Sequence, residues 1–285
     1  MSEIKQGEPF PSPLTALGLA LAAPLIITAV LLPFESKPPI AAQAFALVLG
    51  FGALGTLAAR FVPAPADSRL GLRPVPLRAI LPVALLLPSA FLLSELDNWI
   101  RLALHAQPVP GLGSVRMPAL DVLLLGVLLY PVLQEFFFRG VLQQGCVARL
   151  GARGGVLLVA MLQCLFGVGL LGSDLATGLS QTSQAFVGAL LLGSLRLATG
   201  SLLPGIAFAS ALEALGMAGA AFPDRFPIAG FNAPGATTPL VVLLPAAASV
   251  ALGIRLLAAE LAKQPPLPPI PLAQPKDDEE AGPFF

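Results

Sequence analysis

The chain has 285 residues, 56% hydrophobic and 11% charged, with a mean hydropathy of +0.84; soluble domains carry about 25% charged residues, so a water-soluble globular protein is excluded. Lys plus Arg and Asp plus Glu number 16 each, so no net charge points to nucleic acid. One histidine and two cysteines, Cys146 and Cys164, exclude HExxH zinc proteases, Cys/His zinc sites and haem attachment, and no cofactor is expected.

The first 13 residues, MSEIKQGEPFPSP, form a polar tail whose Glu3 and Glu8 do not suit the basic start of a signal peptide. Eight apolar runs follow, at 14–32, 40–59, 79–96, 119–138, 154–172, 184–200, 201–221 and 239–262. Each is near the ~20 residues that cross a ~30 Å hydrocarbon core. The expected fold is therefore all-α, a polytopic membrane bundle of about eight transmembrane helices. Between the third and fourth runs, the link from Glu95 to Pro118 holds Trp99, suited to the membrane interface, and His105, expected at the surface. Arg196 interrupts the sixth run, and only Thr199 and Gly200 part it from the seventh, which predicts a tight helical hairpin. The organisation expected is a tail (1–13), N-terminal spans with an interfacial link (14–118), a core (119–221), a loop with the last span (222–263), and a Pro-rich acidic tail (264–285) with a solvated polyproline-like form. With the N-terminus inside, 12 Lys/Arg fall on the inner side and 4 on the outer. Both termini are thus expected in the cytoplasm, with the chain in the plasma (inner) membrane.

A charge inside lipid costs ~2.5–3.5 kcal/mol on insertion scales, so each one needs a reason. The fourth run carries Gln134, Glu135 and Arg139 around Phe136, Phe137 and Phe138. Glu135 and Arg139 stand four apart with the acid first, the better order for a helical ion pair. Structurally, this pair is a lock between helices, with Arg139 reaching toward the cytoplasmic interface. Functionally, Glu135 with Gln134 polarises water or binds a polar group in a membrane cavity. Further along, Gln163 suits an interhelical hydrogen bond and Cys164 a small apolar filler. Glu213, deep in the seventh run with no basic residue within a turn, must be protonated or paired across helices with Arg139 or Arg196.

The run YPVLQEFFFRGVL at 130–142 resembles the first motif, EExxxR, of the CPBP superfamily of intramembrane proteases, which contains the CAAX prenyl proteases and bacteriocin-processing enzymes. LFGVGLL resembles that family's FxxxH segment, and TGSLLPGIAFASALEAL the stretch ending in HxxxN, over about residues 120 to 221. The resemblance implies a catalytic Glu at 135 and its Arg at 139, both present. It places the other water-activating Glu on Gln134, the histidines on Leu170 and Ala209, and the oxyanion-stabilising Asn on Glu213. Four expected groups are thus replaced. Gln134 is no base, and Leu170 and Ala209 offer no lone pair; losing one oxyanion donor typically costs ~10²-fold or more in rate.

Three functions compete. A catalytically degenerate member would hold a peptide, lipid or partner helix in its membrane cavity. An active endopeptidase would process CAAX or leader peptides through Glu135, Arg139 and Glu213. A small transporter would use Glu135 and Glu213 as proton or cation sites, although no internal repeat is visible. The first is favoured. Membrane lipid is the expected surroundings, with a membrane-embedded peptide or partner helix as the expected partner.

Overall fold

The computed structural model describes residues 8–34, 38–75, 77–105, 120–167, 175–222, 225–233 and 235–263. They are almost wholly helical, without a strand among the described residues. Helix α1 (Pro13–Leu31) starts at a proline, whose missing N–H costs nothing in a first turn, and is capped by Ser12, whose hydroxyl accepts from Thr15 N at 3.1 Å. Helix α2 (Ile40–Ala59) follows, then the short α3 (Ala66–Leu70), stopped by Gly71 at φ +80°. Helix α4 (Leu77–Ala103) is interrupted at Pro88. Helix α5 runs over 120–150 and contains two widened π-helical stretches, Leu124–Leu129 and Phe136–Leu142. At Gly151 the backbone leaves helical values, φ 73° and ψ 172°, and α6 returns over 152–167. Helix α7 (Leu175–Thr199) turns at Gly200, φ 68°, into α8 (Leu203–Ala221), so the expected tight hairpin is present; α9 (Leu240–Leu261) ends the described chain.

Six helical stretches are long and apolar enough to cross a membrane. The all-α membrane bundle is therefore as expected, while the count of eight meets six. The difference has two sources. Leu120–Cys164, 45 residues, counts as one apolar stretch although it contains the break at Gly151. Helix α7 has the length but not the apolarity, because Ser180, Gln181, Ser183, Gln184 and Arg196 lie along it. The third expected span, 79–96, continues to Ala103 and carries Glu95, Asp97 and Asn98 within a helix. The tail at 264–285 lies outside the described residues.

Small residues let the helices approach. Ala16, Ala20 and Ala23 of α1 are fully buried against α2, where a Cβ on Gly50 would sit 2.5 Å from Ile27. Beside them Phe51, Phe137 and Phe138 interlock, with ring centroids 5.2 to 6.0 Å apart. A second apolar core joins Leu86, Leu192, Leu195, Phe208, Val250 and Leu257.

Polar contacts gather at the two ends of this bundle. At one, Gln144 Nε2 donates to Phe10 O, Arg149 pairs with Glu8, Arg196 Nη2 donates to Arg69 O at 2.8 Å, Leu202 N to Gly71 O, and Arg78 pairs with Glu260 at 2.7 Å. At the other, Glu95 is buried and accepts from Thr238 N at 2.7 Å and from Asn98 Nδ2 at 2.9 Å. Ser94 and Asn98 both donate to Gly230 O, and Asp97 takes Arg101 and the Ser180 hydroxyl. Glu95 thus fastens Thr238 to α4, while Asp97 ties α4 to α7. Glu95→Ala strands the buried Thr238 N–H, and we expect a loss of about 1–3 kcal/mol. A lower melting midpoint with faster proteolysis inside 225–238 is the expected result; an unchanged melt would refute the anchoring role.

Candidate functional site

Glu135 and Arg139 lie one turn apart on α5, at 1% and 0% exposure, with Arg139 Nη1 3.1 Å from Glu135 Oε1. Arg139 does not extend toward an interface. Its Nη2 donates across to Ala189 O of α7 at 3.1 Å, and its Cζ lies 5.9 Å from the centre of the Phe138 ring. Gly205 of α8 closes the other side: a Cβ there would sit 2.8 Å from Glu135 Oε2. The pair is therefore held at the junction of three helices, and lock is the reading that this geometry matches. Four residues on, Gln143 repeats the arrangement, donating to Gly193 O of α7 at 2.9 Å.

These contacts fix helix registers. Arg139 to Ala189 and Gln143 to Gly193 make α5 and α7 parallel. Contact of Gly205 with Glu135, and of Gly126 with Met217, makes α8 antiparallel to α5. Residues 130–134 consequently stand level with 209–213. Gln134 comes level with Ala209, whereas Glu213 lies about one turn away, level with Tyr130. Helix α6 returns antiparallel to α7, with Val156 against Gly193 and the Cys164 thiol 3.7 Å from Thr182 O. Gln163 thus comes level with the same part of α7 as Glu135, although no hydrogen bond joins them among the described residues, and its Oε1 has no partner. Leu170 lies outside the described residues.

Not every expected contact forms. Gln134 is buried, with its amide donating to Tyr130 Oη at 2.8 Å. Ala209 packs beside the second apolar core. Glu213 is exposed on the bundle surface and pairs with neither Arg139 nor Arg196. Arg196 instead reaches the backbone of Ser68 and Arg69. His105 is exposed, as expected. Sequence reading missed Tyr130, which an i,i+4 spacing from Gln134 signals, and Gln143, a buried polar group one turn beyond Arg139. A cavity of about 450 Å³ lies on another face of α5, lined among others by Gly52, Thr56, Arg73, Leu133, Phe136 and Ile206. None of Gln134, Glu135, Ala209, Gln163 and Glu213 lines it.

Residues 117–215 match the family model described as Rce1-like, type II CAAX prenyl endopeptidase Rce1-like. Over these residues the chain is similar to that family. The match covers 99 of the 285 residues and contains α5, α6, α7 and most of α8, so the family expected from QEFFFRG is found where the motif lies. Together with its apolar helices, the match supports an integral, multi-pass membrane protein with a CPBP-like segment. Comparisons with curated proteins and with solved structures returned no match.

Inside the Rce1-like segment, Arg139→Ala would leave a carboxylate buried and unpaired, at a cost of about 3–5 kcal/mol. Folded yield should fall sharply, and Glu135→Gln in that background should restore part of it. Size-exclusion recovery and melting of the two single variants and the double variant measure this. Strictly additive losses would show that the two side chains are not coupled.

Proposed function

We propose that this CPBP-type protein is catalytically degenerate and binds a membrane-embedded peptide, lipid or partner helix instead of cutting a peptide bond. The observation that carries the reading is the state of its one retained motif carboxylate. Glu135 is 1% exposed, paired with Arg139 and packed by Gly205, with no second base against it among the described residues. The neighbouring position holds an amide already engaged with Tyr130. Ala209, at the level where a histidine is implied, offers only a methyl group. General-base chemistry needs a basic atom within about 2.6–3.2 Å of the proton it takes, and an oxyanion needs donors at similar range.

One observation favours the endopeptidase alternative. Glu213 is exposed and is a second carboxylate on the same helix pair, about one turn from Gln134. A reconstituted sample assayed with prenylated CAAX peptides and with leader peptides separates the two. No cleavage is expected. Turnover by the native chain that vanishes in well-folded Glu135→Gln or Glu213→Gln would overturn degeneracy.

We further infer eight crossings with both termini in the cytoplasm of the plasma membrane. Two features support this. Contacts at one end of the bundle join the segments around 8–11, 68–78, 144–149, 196–202 and 260, and those at the other join 94–101, 177–180 and 228–238. The first end carries Arg60, Arg69, Arg73, Arg78, Arg149, Arg196 and Lys263, the bias of a cytoplasmic face. Reporter fusions at Pro265 and in the 33–39 loop should report opposite sides. The same side for both would reject the arrangement.

A further inference from the structure

The cavity described above differs in character from the motif level. Its walls are mainly apolar, with Leu133, Phe136, Leu203 and Ile206 among them, and Thr56 and Arg73 supply polar atoms. Its volume, about 450 Å³, falls in the ~300–1,000 Å³ range of ligand pockets. It reaches the cationic end of the bundle, because Gly71, Leu72, Arg73 and Pro74 line it there.

Two guanidiniums meet at that mouth. Arg73 is exposed, and its Nη2 donates to Ser68 Oγ; Arg196 Nη2 donates to Ser68 O at 3.4 Å and to Arg69 O at 2.8 Å. Arg196 lies directly over Gly71, where a Cβ would be 2.5 Å from its Cζ, so a lining residue has given up its side chain to admit the guanidinium. Its Nε is buried without an acceptor. Among the described residues neither Arg73 nor Arg196 has a carboxylate within ion-pair distance. Like charges converging on one serine without a counter-ion call for an anion. Adjoining them is an apolar chamber at the depth of helix ends, where lipid headgroups meet acyl chains.

We propose that the cavity holds an acyl chain of an anionic phospholipid, with its phosphate held by Arg73 beside Arg196. This deepens the binding role proposed above and rests on it. Arginine suits the task, since its planar fork bonds phosphate through two N–H groups. Surface Lys and Arg attract anionic lipid even without a pocket, so the distinguishing mark is dependence on the chamber as well as on charge. A zwitterionic lipid with the same chains fits the chamber but brings its own ammonium group to the two arginines.

The test uses the purified full chain with phosphatidylglycerol and phosphatidylcholine of identical chains, retained lipid being read by native mass spectrometry, and inorganic phosphate as competitor. Phosphatidylglycerol should be retained at least tenfold better than phosphatidylcholine. Arg73→Gln should erase most of that preference and Arg73→Lys keep part of it. Thr56→Trp, which fills the chamber without touching a charge, should abolish retention of both lipids; melting curves without added lipid report folding, and if Thr56→Trp does not fold, the Arg73 variants decide. Equal retention of the two lipids, a preference unchanged in the Arg73 variants, or displacement by millimolar inorganic phosphate would each overturn the lipid site, the last by showing a free-anion site. None of these results touches degeneracy, which only the cleavage assay decides.

Discussion

The Glu135–Arg139 pair is the constraint around which the other helices are arranged. Removing two charges from water costs several kcal/mol per ion, and only close geometry with further bonds offsets it. Here the guanidinium meets Glu135 at 3.1 Å, a carbonyl of α7 at 3.1 Å and an aromatic face, while the carboxylate is packed by a glycine of α8. Moving α7 or α8 along α5 by one residue, about 1.5 Å, would break one of those contacts inside the bundle. Shape alone does not select register in a membrane, where lipid chains are as apolar as leucine. A buried ion pair with one acceptor on the next helix does, and Gln143 with Gly193 adds a second pin one turn away.

The same contacts decide what Glu135 is available for. A carboxylate that must neutralise Arg139 and fit beneath Gly205 is a poor partner for a mobile water. The widened turn at Phe136–Leu142 puts Arg139 into the interior while Phe137 and Phe138 fill the first core and Phe136 faces the cavity. Such turns are frequent at functional sites, and this one separates two environments on one helix: a sealed charged junction, and an apolar chamber with arginines at its mouth. Binding can evolve in the second without disturbing the first.

Much of this was legible in the sequence. Hydropathy alone gives a helical membrane bundle, the acid-first spacing gives the Glu135–Arg139 pair, and Thr199–Gly200 gives the hairpin. The Rce1-like stretch is carried by QEFFFRG and TGSLLP. Other features depend on partners distant in sequence. Glu95, Asp97 and Asn98 look like the polar end of a span, and only the approach of Thr238, Gly230 and Ser180 shows them to be interior groups. Glu213, expected to seek Arg139 or Arg196, finds the first taken by Glu135 and the second by backbone carbonyls. Its position on a helix face was open to inference, but its exposure depends on which neighbours that face lacks.

Helix α7 shows why apolarity alone undercounts such a fold. It packs against α4, α5, α6, α8 and α9, more helices than an outer helix can meet, and buries Ala176, Gly178, Ser180, Ala189, Leu192, Gly193, Leu195, Ala198 and Thr199. A helix surrounded by protein has little contact with lipid, so the hydropathy that lipid demands does not apply to it. Its polar side chains are instead used: Ser180 on Asp97, Thr199 on Leu195 O, Arg196 on the α3 backbone, while its own carbonyls at 189 and 193 receive Arg139 and Gln143. Hydropathy measures what a helix must show to lipid, and the helix that binds the bundle together is the one that shows least. The buried ion pair and the low apolarity of α7 are therefore linked: a central helix that offers hydrogen-bond partners on several sides is what allows a charged junction to exist within the bundle.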